Sequence, residues 1–256
     1  MQHDFKNIVE LISSFKGITL EELNSVRLMD REDTKYIFNI DLLPDILMKL
    51  TASYNMLTIN DHRLMTYDSL YFDTPDKSLY LQHHNGKLNR YKVRYRKYVE
   101  TDTCFFELKV KTNKYRTVKK RIAVDHIPQN PGSAEISMIE EVLPIDVNLL
   151  EPTCNIGFKR MTMADKDFQD RLTIDIGLQA SVNERSVSFP YLVIAEIKQE
   201  RFSTHSPFIQ VMRGMKIEPM RLSKYCISVV NLYPNVKYNR FKPKILTINK
   251  IKHAVS

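Results

Sequence analysis

Arg90, Lys92, Arg94 and Arg96 recur at every second position, and Glu107, Lys109 and Lys111 repeat that spacing in the next segment. Successive side chains of a β-strand point to opposite faces, so each set occupies a single face. The opposite faces read Tyr91, Val93, Tyr95 and Cys104, Phe106, Leu108, Val110, which suits burial. Two neighbouring strands would thus pack an apolar face inward and present a cation-rich face to water or to a polyanion. Arginine suits phosphate because its planar fork grips two oxygens at once. Polyphosphate chemistry is the first expectation from these residues.

Other chemistries find little support. Six glycines among 256 residues include no Walker sequence and no GxGxxG, so side chains must bind any phosphate. Seven histidines show no metal spacing, and no Ser-His-Asp set can be argued. His83-His84 is expected to end a surface helix. Cys104, Cys154 and Cys226 lie far apart without a CxxC pair, which predicts core thiols in a reducing compartment.

The elements that must position the charged residues follow from composition and pattern. Hydrophobic residues make up 43% and charged residues 27%, enough for a globular core. The net charge of +8 favours an anionic partner, although solubility alone also accounts for a basic surface. Asp4 and Glu10 in a helical pattern are unlike a signal peptide, and the apolar stretch Tyr191 to Ile197 is too short to span a bilayer. A cytoplasmic protein is expected, with any membrane association made through a partner.

The periodicity predicts an amphipathic helix over 5–15 and a second helix opened by the capping box Thr19/Glu22. Strands are predicted at 34–39, 65–72, 88–98, 103–111, 116–124, 155–164, 171–177 and 191–199. Further helices are predicted at 42–50, from a cap at Asp76 to His83, over 133–150 with a break at Pro144, at 208–215 and at 223–232. The basic tail from Lys237 has no clear element and reads as solvated and partly ordered, with contact to anionic membrane or a membrane-protein partner as the other option. A single domain over 1–256 is expected, with a core of about 27–233, N-terminal helices at 4–26 and the tail at 237–256. Many strands with few helices between them predict an antiparallel α+β fold. The alternating faces predict a β-barrel tunnel of about eight strands with a wet interior and flanking helices. A flat sheet with one solvated face is the plainer alternative.

Ordered fragments then carry a resemblance. They are Arg31-Glu32-Asp33-Thr34-Lys35-Tyr36, Ser69-Leu70-Tyr71-Phe72-Asp73-Thr74, Lys92-Val93-Arg94-Tyr95-Arg96 and Phe105-Phe106-Glu107-Leu108-Lys109. Val118-Lys119-Lys120-Arg121, Arg171-Leu172-Thr173-Ile174-Asp175, Val193-Ile194-Ala195-Glu196-Ile197-Lys198 and Ser223-Lys224-Tyr225 follow. In this order they resemble the VTC-type polyphosphate polymerase domain of the stand-alone bacterial type. That domain is a branch of the CYTH, or triphosphate tunnel metalloenzyme, superfamily. The wider superfamily's Glu-x-Glu-x-Lys signature is replaced here by Arg31 to Lys35, which agrees with the VTC branch and argues against thiamine triphosphatase or adenylate cyclase.

The resemblance implies a closed basic tunnel. Its phosphate-binding residues would be Lys35, Arg94, Arg96, Lys109, Lys119, Arg121, Arg160, Arg171, Lys198 and Lys224. Arg94, Arg96 and Lys224 would also be catalytic. Glu196 would bind a divalent cation, Mn²⁺ or Mg²⁺, with Glu107 as a second candidate. Spacing leaves open whether Lys119 or Lys120 faces inward, since a one-residue slip swaps the face. Lys35 could instead be a solvated edge lysine, and Glu107 and Lys109 a structural pair. The implied reaction passes the γ-phosphate of ATP to a polyphosphate chain. A tri- or polyphosphate or nucleoside triphosphate hydrolase, or a non-catalytic polyphosphate-binding module, are the alternatives. Nucleic acid is not expected, because Tyr91 and Tyr95 fall opposite the basic face where bases would stack.

Overall fold

Alternation of charged and apolar residues builds a sheet with two unlike faces. The computed structural model describes residues 2–25, 32–113, 117–167 and 169–253. The first half contains α1 (Gln2–Ser13), β1 (Gly17–Ile18), α2 (Leu20–Ser25), β2 (Glu32–Asn39), α3 (Leu43–Leu50), β3 (Tyr54–Leu57), β4 (Met65–Asp73) and α4 (Ser78–His84). The meander β5 (Arg90–Tyr98), β6 (Thr103–Lys111) and β7 (Thr117–Val124) follows, then α5 (Ser133–Val142). The second half adds β8 (Glu151–Asp165), β9 (Asp170–Val182), β10 (Arg185–Phe189), β11 (Leu192–Gln199), α6 (Pro207–Gly214), α7 (Lys224–Leu232) and α8 (Lys242–His253). Arg31 of the first family fragment and Arg116 of the expected seventh strand lie outside the described residues.

The main path of the sheet runs β2-β11-β9-β8-β4-β5-β6-β7, every neighbouring pair antiparallel. This is the antiparallel tunnel fold with flanking helices. One expectation needs correction: among the described residues β2 and β7 share no ladder, so backbone hydrogen bonds do not close the barrel. Closure needs both edge strands to pair, and β7 is instead exposed from Thr117 to Lys119 and alternates between half-exposed and exposed after it. The sheet still curls far enough that Lys109 on β6 feels Glu196 on β11 and Lys35 on β2.

The convex face carries two apolar clusters. Phe38, Met161, Ile174 and Ala195 meet α1, α3 and α6 through Ile8, Leu47 and Phe208. Val93, Tyr95, Phe106 and Leu108 meet α4 and α5 through Leu79 and Ile139. The concave face is divided. Its apolar half, with Ile37, Ile156, Leu178 and Ile194, is filled by Tyr225 and Val229 of α7 and Ile248 of α8. Its charged half carries Lys35, Arg94, Asp175 and Glu196, and Lys224 at the start of α7 reaches into it. Gly177 makes this division possible on β9. Its φ of +63° accompanies a register shift between Gly157 and Lys159 on β8. That bulge turns Leu178 and Ala180 to the face already used by Asp175, although the period-2 pattern would send them away.

Several local expectations change. The tail is not a solvated coil: α8 docks Ile248, 2% exposed, and the Asn39 side-chain amide donates to the Ile251 carbonyl at 2.8 Å. Its isoleucines complete a core that no short-range pattern reveals. The cap of α4 is not Asp76. Asp73 accepts the amides of Leu79 and Tyr80, and Thr74 Oγ1 that of Ser78, because Lys77 turns the chain in a left-handed conformation. His84 is buried at 2% exposure against Phe241, so the histidine pair is no surface feature. The capping box at Thr19/Glu22 forms, with bonds of 2.7 and 3.2 Å. Cys104, Cys154 and Cys226 are free, buried thiols. No described helix is long and apolar enough to cross a membrane.

Candidate functional site

Strand register gathers the charged residues on the concave face. Lys35 lies opposite Glu196, Glu196 opposite Thr173, and Lys198 opposite Arg171. Arg160 lies opposite Asp175. Arg94 lies opposite Glu107, Lys92 opposite Lys109, and Lys109 opposite Lys119. The site forms because each strand contributes the polar half of its own alternation.

Three carboxylates organise this face, and each is shared by two cations. Glu196 joins Lys35 and also Lys198 at 3.1 Å. Asp175 receives the Arg160 fork at 2.5 and 2.7 Å and also meets Lys224. Glu107 receives Arg94 Nε and Nη2 on its Oε2 at 2.8 and 2.6 Å, while Lys119 pairs with Oε1. The register question at β7 is thereby answered. Lys119 turns to Glu107, and Lys120 turns outward to Glu141 of α5 at 2.5 Å.

The electrostatics follow. Burial alone would raise the Asp175 carboxyl, but Arg160 and then Lys224 outweigh it and hold it at about 2. Glu107 is also held at about 2, with Arg94, Arg96 and Lys119 overcoming burial. Glu196 lies well below the usual carboxylate range because Lys35 and Lys198 overcome its burial. Lys224 is pushed down to about 8 by burial, against the pull of Asp175. Lys109 is pushed down to about 7 by burial and then by Lys92. Its side chain nevertheless reaches water. A residue both wetted and hemmed in by protein is one that lines a channel.

The remaining expected residues vary in placement. Arg96, 7% exposed, donates to Ser69 Oγ at 3.1 Å and lies over the rings of Tyr67 and Phe158. Arg121 faces the groove from the exposed edge strand, over Phe105 at 4.8 Å. Arg171 sits at the end of the row, where its guanidinium donates to the Leu23 carbonyl of α2. Lys224 is the first residue of α7, whose cap Ser223 accepts the Cys226 amide at 3.2 Å. Sequence reasoning gives no role to Asp175, Tyr71 or Lys92. Lys92 donates to Ser223 Oγ at 2.9 Å and Tyr71 accepts from Arg94 Nη1 at 2.7 Å. The alternation signalled Lys92, but nothing local pointed Tyr71 at Arg94.

Among the described residues no three His, Cys, Asp or Glu side chains gather as a metal cage. Mg²⁺ does not require one, since it keeps several waters and is often held by one or two carboxylates plus substrate phosphates. Glu196 fits that form. Glu107 fits it less well, being 1% exposed with Arg94 and Lys119 on its two oxygens.

A profile of the VTC domain matches residues 30–233, most of the strands and α7 included. The chain belongs to the VTC domain family. The motif-based resemblance to this family is therefore borne out. No curated protein matches the sequence. Among solved structures, a candidate adenylyl cyclase from Hippeastrum, described as having a dominant triphosphatase activity, is 14% identical with a TM-score of 0.50, covering 79% of this chain and 96% of its own. An adenylate cyclase candidate from Vibrio parahaemolyticus is 10% identical with a TM-score of 0.48, covering 78% of this chain and 99% of its own. The Hippeastrum likeness supports the fold of this VTC domain.

Proposed function

We propose that the groove binds a phosphate polyanion and transfers a phosphoryl group, with polyphosphate synthesis from ATP as the specific reaction. The observation that carries this reading is the shared use of each carboxylate by two cations. Asp175, Glu107 and Glu196 hold six cations in place, Asp33 also meets Lys198, and Arg96 and Lys92 add charge beyond what these acids neutralise. A structural ion-pair network has no use for that excess, since buried charge is costly without a partner. A polyphosphate supplies one.

The chemistry asks mainly for positioning and charge stabilisation, and no protein nucleophile is needed. Arg94, Arg96 and Lys224 would spread charge from the transferring group, and Lys35, Lys109, Lys119, Arg121, Arg160, Arg171 and Lys198 would hold flanking phosphates. Glu196 would hold Mg²⁺ or Mn²⁺ together with substrate oxygens. The metal would supply further neutralisation of phosphate charge. Hydrolysis is the second reading, favoured by the triphosphatase activity described for the Hippeastrum protein.

Incubation with ATP and Mn²⁺, followed by electrophoresis and phosphate release, tests both. Long polyphosphate is expected. Free phosphate without chains would make the domain a hydrolase. Tight polyphosphate binding with no turnover under either metal would make it a binding module.

A further inference from the structure

Both bonds from Arg94 to Glu107 converge on one oxygen, Oε2, so that pair is a pivot and not a two-point clamp. The second fixed point is the Tyr71 hydroxyl, which accepts from Nη1 at 2.7 Å. Tyr71 is 4% exposed and its ring stacks on Tyr225 at 4.9 Å and 14°. Tyr225 follows Lys224 in the first turn of α7. Its hydroxyl donates to Asp73 Oδ2, and Asp73 is fully buried. The same carboxylate accepts the amides of Thr74, Leu79 and Tyr80, each at 2.8 Å. One acid therefore closes the start of α4 and fastens α7.

We propose that Tyr71 is a positioning residue: it fixes the angle of the Arg94 guanidinium and ties it, through Tyr225, to the helix that carries Lys224. The proposal rests on the reading that Arg94 binds a phosphate polyanion. A guanidinium has five N–H donors. Glu107 and Tyr71 take three of them, which leaves two for a ligand. Without the hydroxyl the group can swing about Oε2, and a bound phosphate must then meet the cost of ordering it. Arg94, Arg96 and Lys92 surround the phenol, pulling its pKa below the ordinary tyrosine value against the effect of burial.

The test is a double-mutant cycle with inorganic tripolyphosphate, read by calorimetry. Wild type, Tyr71→Phe, Arg94→Ala and the double variant are compared. Tyr71→Phe keeps the ring and its stack and loses one bond to a charged group. Binding about tenfold weaker is expected. In the Arg94→Ala background the same change should alter affinity by less than about twofold, since residues in one network do not act additively. Wild-type binding by Tyr71→Phe, or equal losses in both backgrounds, overturns the proposal while leaving the phosphate reading intact. An Arg94→Ala chain that binds normally overturns both. Should Tyr71→Phe fold poorly, Tyr225→Leu, which removes the ring stacked on Tyr71, probes the same tie from α7. It should show the same non-additivity with Arg94→Ala, and additive losses would overturn the proposal.

Discussion

Lys224 and Asp175 meet inside the groove, the lysine from the first turn of α7 and the carboxylate from the middle of β9. Asp175 also takes the Arg160 fork, so one acid links a helix to two strands. Lys92 reinforces the junction by donating to Ser223 Oγ, the cap of the same helix. The groove is thus arranged around α7 as much as around the sheet.

Removing a groove cation should be felt in catalysis. Lys224→Ala and Arg94→Ala are each expected to slow turnover by roughly 10²-fold, the scale for losing one charge-stabilising donor. Lys120→Ala, which faces α5, should leave turnover unchanged. Steady-state rates with ATP and Mn²⁺ check this, and wild-type turnover in both groove variants would remove those residues from the site.

The two candidate metal carboxylates should separate. Glu196→Gln is expected to lose the stimulation by Mn²⁺ while still binding tripolyphosphate. Glu107→Gln should keep its metal response but melt earlier, because Arg94 and Lys119 lose their counter-charge. Breaking a buried pair costs up to about 3–5 kcal/mol. Metal titrations of activity alongside thermal melts give the answer. A metal response lost only in Glu107→Gln would reverse the assignment.

A pH dependence arises away from the groove. Asp170 is 2% exposed, and its Oδ1 has no hydrogen-bond partner. Burial pushes its carboxyl up to about 6 from an ordinary 3.8. A raised pKa means that the folded state favours the proton. The contribution of Asp170 is then fully present below about pH 4 and is lost as pH rises through 6. Asp170→Asn, which stays neutral, should therefore be more stable than wild type at pH 7.5, by roughly 1–3 kcal/mol. The difference should vanish below pH 4. Melting curves across this range decide it, and an equal difference at both ends would rule the explanation out.

Much of the site could be read from spacing. The alternations at Arg90–Arg96 and Phe105–Lys111 placed Arg94, Arg96, Glu107 and Lys109 on one face, and register confirms that face. The family resemblance added Lys35, Arg160, Lys198 and Lys224 from distant segments, and these lie on the same concave surface. Asp175 passed without a role because a lone carboxylate in a strand carries no local sign of its partners. Helix α8 was missed for a related reason, since its buried isoleucines face a core built by strands far away in sequence.

The amino-acid sequence by itself pointed to the eight strands of the main path and to the charged face of each, though not to β1, β3 or β10. These are local matters, because side-chain direction in a strand alternates whatever the strand pairs with. Only the tertiary structure decided which cations share a carboxylate, that Lys119 and not Lys120 enters the groove, and that the backbone ladder stays open between β2 and β7. Those outcomes depend on strand register, on the bulge at Gly177 and on the seating of α7 in the concave face. Each is settled by packing between residues far apart in the chain, where short-range pattern has no hold.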